Sequence, residues 1–204
     1  HNIVAINNAD VLQTCQGYWE CGNGSLMRIA PLAFYLYLNP STDKLKVVKN
    51  ISSLTHVHNI CTIGCYIYIN ILLSILKIKN VDKLTAVKQG IENTKKDLNT
   101  YSPHELNLYN RVFNIENLLN SNIEDIKSSG YIIDTLEAAL YCYLKSDNYQ
   151  NAIISAIKLG DDTDTIASIT GSLAGLYYGY DNIPKSLINI INENGLKILN
   201  NQTK

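Results

Sequence analysis

Apolar residues recur along this chain at helical rather than alternating spacing, which predicts a succession of helices and no convincing strand. The longest uncharged run, Ile60 to Leu76, is apolar on every face. Such a helix belongs in a protein core or a membrane. This run is short for a span and includes Gly64, Asn70 and Ser74, so the expectation is a buried core helix from Ile60 to Ile78. From Val81 to Asn99 the pattern turns amphipathic, with Leu84, Val87, Gly90 and Ile91 on one side and lysines on the other. Leu136, Leu140 and Leu144 stack at four-residue spacing within a helix predicted from Ile133 to Leu144. Another, Asp147 to Leu159, leads into LGDDTDTIASITGSLAGLYYG, and Pro184 restarts a last amphipathic helix, Lys185 to Leu199.

Turn chemistry divides these elements. Pro31 lets a helix restart and run through Leu38, and Ser41 and Thr42 after Pro40 supply an N-cap for Lys44 to Leu54. Residues Thr100 to Asn122 are polar and Asn-rich, broken at Pro103, with a short helical pattern from Leu106 to Leu119. Glu105 and Glu116 in that segment read as solvated surface acids. Residues His1 to Cys15 give only weak local signals. Every firm element is helical, so the class is all-α, and 204 residues point to a single domain with a substantial core.

Composition narrows the partners. A net charge of −1 with only 17% charged residues leaves no electrostatic footprint for nucleic acid or an anionic membrane surface. Five cysteines, Cys15, Cys21, Cys61, Cys65 and Cys142, are odd in number and contain no Cys-x-x-Cys pair, so a reducing, cytoplasmic setting is expected, and no secretory signal pattern is seen at the start as given. The Asn, Ile and Lys bias reads as drift in an AT-rich coding sequence.

Candidate chemistry concentrates at Asp161, Asp162 and Asp164, interleaved with Thr163 and Thr165 at the start of a small and apolar helix. Two readings stand. One is an N-cap with a solvated first turn. The other is a hard-cation site in which Asp162, Asp164 and Thr165 offer clustered oxygens to Mg²⁺ or Ca²⁺, favoured by unpaired amides and the positive end of the helix dipole. An EF-hand is excluded, because the glycine at position six and the glutamate at position twelve are missing from either starting aspartate. A prenyl-diphosphate enzyme would need different spacing and a second aspartate cluster. Downstream, Ala167, Gly171, Ala174 and Gly175 leave one helix face smooth enough for a neighbour to come close.

Three further stretches carry polar groups at turns. Gly22-Asn23-Gly24-Ser25 is a flexible turn entering a helical pattern through Met27, Arg28 and Ile29; it reads as a plain turn or as a backbone cradle for phosphate. Thr55-His56-Val57-His58 suggests zinc only superficially, since no cysteine or acid lies at ligand spacing. Ser128-Ser129-Gly130-Tyr131 reads as a loop before the Leu136 helix.

Taken in order, GNGSLMRIAPLA from Gly22, LTHVHN from Leu54, SSGYIIDTLEAALYCYL from Ser128 and GDDTDTIASITGSLAGLYYG with Ile183-Pro184 resemble the motifs of the ADP-ribosylglycohydrolases. The resemblance implies an orthogonal helical bundle and Mg²⁺-dependent hydrolysis of ADP-ribose from a modified side chain or related acceptor. It implies two magnesium ions, with one half of their site at Asp162, Asp164 and Thr165. It also implies that Gly22, Asn23, Gly24 and His56 line the ADP-ribose pocket, that Gly130 and Tyr131 close over the sugar or pyrophosphate, and that His58 is structural. The partner is then ADP-ribose or an ADP-ribosylated protein. Two departures are visible. Asp161 stands where the family usually has glycine. The early Gly-Asp and Thr-Asp-Asp-Thr segments, which in the family supply the remaining ligands and the catalytic acid, are not found before Gly22, so the catalytic residues are unassigned and the N-terminal helices are expected to be missing. A fragment of a longer enzyme, a site completed by a partner chain, and a non-catalytic ADP-ribose-binding or structural relative all fit that departure.

Overall fold

The hydrophobic pattern organises the molecule around one wall. In the computed structural model, which describes residues 21–78 and 81–190, helix α4 (Asn59–Lys77) has the length and apolar character to cross a bilayer, yet every residue from Ile60 to Ile75 is buried inside the protein. It is the core helix that the uncharged run predicts. His58 starts it, its Nδ1 accepting the Ile60 N–H at 3.1 Å, a structural role in a helix cap.

The other helices pack round this axis. They are α1 (Leu26–Ile29), α2 (Leu32–Leu38), α3 (Lys44–Ser53), α5 (Lys83–Asp97), the short α6 (Pro103–Asn107), α7 (Asn110–Phe113) and α8 (Ile115–Leu119), then α9 (Ile132–Lys145), α10 (Tyr149–Lys158) and α11 (Thr163–Tyr178). Among the described residues there is no strand, only an isolated antiparallel bridge between Gly22 and Tyr131. The architecture is all-α. Of the predicted final helix, residues 185–190 are helical and the rest lies outside the described residues, as do His1 to Cys15.

Close approach explains which helices pair. At Gly90 an added Cβ would stand 2.6 Å from the Ile71 Cα, so α5 lies directly on the α4 backbone. On α11, a Cβ at Gly171 would meet Ile153 of α10 at 3.0 Å, and one at Gly175 would meet the Tyr149 ring, so the smooth face is the one α10 covers. The far end of α9 is held by Lys83, whose Nζ donates to the carbonyl oxygens of Tyr143, Leu144 and Ser146, a cation on the negative end of a helix.

Several expectations from the sequence are corrected here. The cap of α3 is Asp43, which accepts the Lys46 N–H at 3.1 Å, rather than Ser41 or Thr42; a carboxylate one residue nearer the first turn reaches the amide better. The segment 103–119 forms three short helices, not one. Glu105 is not a solvated acid: it is partly buried, closes a capping box with Ser102 and accepts from Asn59 at 2.9 Å, tying α6 to the start of α4. Glu116 is exposed as expected, but it pairs with Lys88.

Candidate functional site

Three loops distant in sequence meet at the N-terminus of α11. The Gly22–Ser25 turn pairs with the 128–131 loop through Asn23 N–H to Gly130 O at 2.9 Å and Ile132 N–H to Cys21 O at 3.0 Å. The 128–131 loop in turn receives the Asp162 N–H on the Ser128 carbonyl at 3.1 Å. A Cβ at Gly130 would lie 3.6 Å from Asp162 Oδ2, so the loop backbone runs close past that carboxylate.

Asn23 is the centre of this junction. Its side-chain amide, 8% exposed, donates to the buried Thr135 hydroxyl at 2.8 Å and to Asp162 Oδ2 at 2.5 Å. Thr135 passes the link on to the Ser129 carbonyl at 2.9 Å. Both amide hydrogens of Asn23 are thus used, and the amide serves as a strut between α9 and the acidic turn. The backbone N–H of Asn23 is likewise taken by Gly130, so that amide is not available to the phosphate cradle that the Gly22–Ser25 turn suggests.

Asp162 occupies the N-cap position of α11 but makes no side-chain cap hydrogen bond. Its carboxylate turns to Asn23 instead. Partial burial raises its pKa, but the hydrogen bond from Asn23, helped by Thr165 and Asp164 nearby, outweighs that and holds it below the usual carboxylate range. Asp164 is exposed, while Thr165 is buried and its hydroxyl reaches only a weak partner beyond Asp162, the Met27 sulfur at 4.0 Å. These three residues form an all-oxygen donor set of the kind a hard divalent cation takes. Among the described residues, no group of three or more His, Cys, Asp or Glu side chains is placed to hold a metal ion. Two carboxylates and a hydroxyl are therefore what the acidic turn itself offers.

Asp161 adopts φ +50°, the left-handed region that favours glycine. That is the position where the resemblance expects glycine, and the backbone retains the glycine-like conformation with an aspartate in it. The Asp161 side chain is exposed, with the Ser128 hydroxyl 3.5 Å away.

His56 packs against the same glycine turn. A Cβ at Gly24 would stand 2.7 Å from its Cε1 and 3.2 Å from its Nε2, and one at Gly22 would be 3.5 Å from Nε2. Only glycine admits the ring at Gly24. Burial first, and the Arg28 guanidinium second, push the His56 pKa down, which favours a neutral ring.

Beside the junction a groove of about 470 Å³ runs between α1–α2 and α11, lined by Met27, Arg28, Phe34, Leu72, Gly171 and Leu176. Nearby, Phe34, Tyr35 and Leu38 of α2 are exposed. The structure brings Gly22, Asn23, Gly24, Gly130, Tyr131, Asp162 and Thr165 together on one face with His56, and Asp164 lies on the first turn of α11. Sequence patterning did not single out Arg28 or Thr135 as site residues, because the partners that give them a role, Thr55 and Asn23, lie 27 and 112 residues away.

Comparison with known proteins assigns this arrangement a family. The family model for ADP-ribosylglycohydrolases matches residues 4–202. An ADP-ribosylarginine hydrolase of Pseudomonas putida (strain GB-1) is 31% identical over 163 residues, covering 80% of this chain and 40% of that protein. The ADP-ribosyl-dinitrogen reductase glycohydrolase of Rhodospirillum rubrum is 40% identical over 58 residues, 28% of this chain and 20% of the relative. A solved structure described as an ADP-ribosylglycohydrolase-related protein complex superposes with a TM-score of 0.63 at 26% identity, covering 80% of this chain and 52% of that one. The chain spans about half, or less, of the length of these relatives.

Proposed function

Since the chain belongs to the ADP-ribosylglycohydrolase family, we propose that it binds the ADP-ribose unit of an ADP-ribosylated acceptor at the junction of the Gly22–Ser25, His56 and 128–131 loops, and serves hydrolysis of the glycosidic bond there. Linkage to arginine is the first acceptor to test, because two of the relatives, 47% and 31% identical over their matched stretches, are named for it. The observation that carries the reading is the Asn23 strut: it joins residues 139 positions apart and holds an ionised carboxylate at the edge of a glycine-lined turn.

Asp162, Asp164 and Thr165 are the residues that would hold Mg²⁺. A bound magnesium ion would supply charge for ribose hydroxyls and a water of lowered pKa. The chain's own contributions are positional. Asn23 fixes the Asp162 rotamer, Gly22 and Gly24 let the His56 ring seat directly against the turn, and the neutral imidazole offers a hydrogen bond without adding positive charge. The family's usual second set of ligands is not among the described residues, so this surface amounts to half of a paired-ion site.

A second reading, a binder without turnover, would use the same loops. Calorimetry with ADP-ribose tests the shared premise. Binding is expected, tightened about tenfold by Mg²⁺, and reduced by at least as much in Asn23→Ala and Asp162→Ala. No binding with or without Mg²⁺ would end both readings. Release of free ADP-ribose from an ADP-ribosylated arginine peptide then separates hydrolase from binder.

A further inference from the structure

Arg28 is exposed on the one-turn helix α1, yet its guanidinium bonds back onto the protein. Its Nη1 donates to the Gly24 carbonyl at 2.9 Å and to the Thr55 hydroxyl at 2.7 Å, and its Nη2 donates to the Ile51 carbonyl at 2.9 Å. One guanidinium thereby clamps the glycine turn to the corner between α3 and α4. The Thr55 oxygen also lies 2.7 Å from His56 Nδ1.

Proton counting and the fixed charge of Arg28 together favour one arrangement of this chain of contacts. A guanidinium has donors only and stays charged at any physiological pH, so at the Thr55 oxygen the Arg28 proton occupies a lone pair. The hydroxyl hydrogen is then turned away from Arg28, and among the described residues the acceptor at hydrogen-bond distance is His56 Nδ1. A neutral imidazole whose Nδ1 accepts carries its proton on Nε2. The reverse arrangement, Nδ1–H donating to the second lone pair of the Thr55 oxygen, would aim two donors at one oxygen, leave the hydroxyl hydrogen to solvent and set the Nδ1 proton close to the Arg28 charge, so it is the less favourable of the two.

We infer that Arg28, acting through Thr55, is a positioning residue that holds His56 as the Nε2–H tautomer and so presents a hydrogen-bond donor beside the Gly22–Gly24 turn. The Cε1–Nε2 edge of the ring is the one lying against Gly24, and Nε2 is the ring atom nearest Gly22. A donor there suits an acceptor oxygen of the ligand, on pyrophosphate or ribose. Arg28 touches no ligand in this scheme. The inference rests on reading the turn as the ligand-binding loop.

Long-range ¹⁵N–¹H correlation spectra of the histidine-labelled protein at neutral pH read the tautomer directly, with no ligand present. The expected result is an unprotonated Nδ1 and a protonated Nε2 for His56. Thr55→Val keeps the shape but removes the hydroxyl and shifts His56 to a mixture; Thr55→Ser keeps the hydroxyl and restores the wild-type pattern; Arg28→Met moves in the direction of Thr55→Val. On the same samples, the affinity for ADP-ribose falls about fivefold in Thr55→Val and recovers in Thr55→Ser, the range expected for one misdirected hydrogen bond. A wild-type Nδ1–H tautomer, or a Thr55→Val spectrum unchanged from wild type, overturns the inference. Expected spectra combined with no ADP-ribose binding by the wild type would instead overturn the ligand reading of the loop and the donor role with it.

Discussion

Helix α4 and the loop junction at α11 are built from opposite kinds of interaction. Along α4, burial from Ile60 to Ile75 is continuous and mostly apolar, so stability is spread over many non-directional contacts. At the junction, a few directional bonds decide the geometry: Asn23 to Thr135, Asn23 to Asp162, Asp162 N–H to Ser128 O. The difference teaches where each property resides. Loss of a methyl group in the wall weakens the whole fold, by an amount set by how far its neighbours can close the cavity, whereas loss of one amide at the junction disorients a specific carboxylate and leaves the core standing.

The wall gives the largest expected effect. Ile67, fully buried on α4, when truncated in Ile67→Ala removes packed methyl groups and leaves a cavity costing about 3 kcal/mol, a fall in Tm of roughly 10 °C by calorimetry. ADP-ribose affinity per folded molecule stays at the wild-type value. A comparable loss of affinity would mean that wall and junction are not separable.

Two carboxylates sharpen the same contrast with an intermediate effect. Glu137 of α9 is 5% exposed and lies 2.9 Å from Arg111, and burial pushes its pKa up to about 7 despite that partner. Its folded pKa therefore lies above its ordinary value of 4.5. Between those values the native state binds a proton that the unfolded chain releases, so the stability it contributes is complete below about 4.5 and is lost as pH rises through about 7. Asp162 is shifted the other way and contributes stability at higher pH that is lost on acidification below its ordinary value of 3.8. Glu137→Gln is expected to flatten the decline of Tm between pH 4.5 and pH 7 by a few degrees. An unchanged slope would refute the burial argument.

Asp161 carries the smallest effect. Held at φ +50°, it tolerates glycine, so Asp161→Gly stays within about 0.5 kcal/mol of wild type in urea unfolding, while Asp161→Ala is less stable by about 1 kcal/mol. Equal stability of the two variants would show that the turn relaxes out of the left-handed region.

The long helices were legible because hydrophobic periodicity is a local property. Ile60 to Ile78 and Ile133 to Leu144 are recovered as α4 and α9 within a residue or so. The four ordered motifs marked the family for a similar reason, since turn glycines and acidic helix starts are written contiguously. The break at α6 to α8 was not legible, because Asn-rich segments have weak periodicity and their ends are set by Tyr109 and Val112 docking into the core. Nor was the use of Asp162. Read alone, an aspartate before a helix is a cap, and its bond to an amide 139 residues away is not written in the local sequence.

What the sequence determined by itself is the helical class, the core axis at α4 and the residues available for chemistry, because side-chain hydrophobicity and turn preference act between near neighbours. What only the tertiary structure decided is which of those residues meet: Asn23 with Asp162, His56 with Gly24, Arg28 with Thr55. Hydrogen bonds need atoms within about 3 Å in a fixed direction. Across separations of 27 to 139 residues, that condition is met only once the helices have packed.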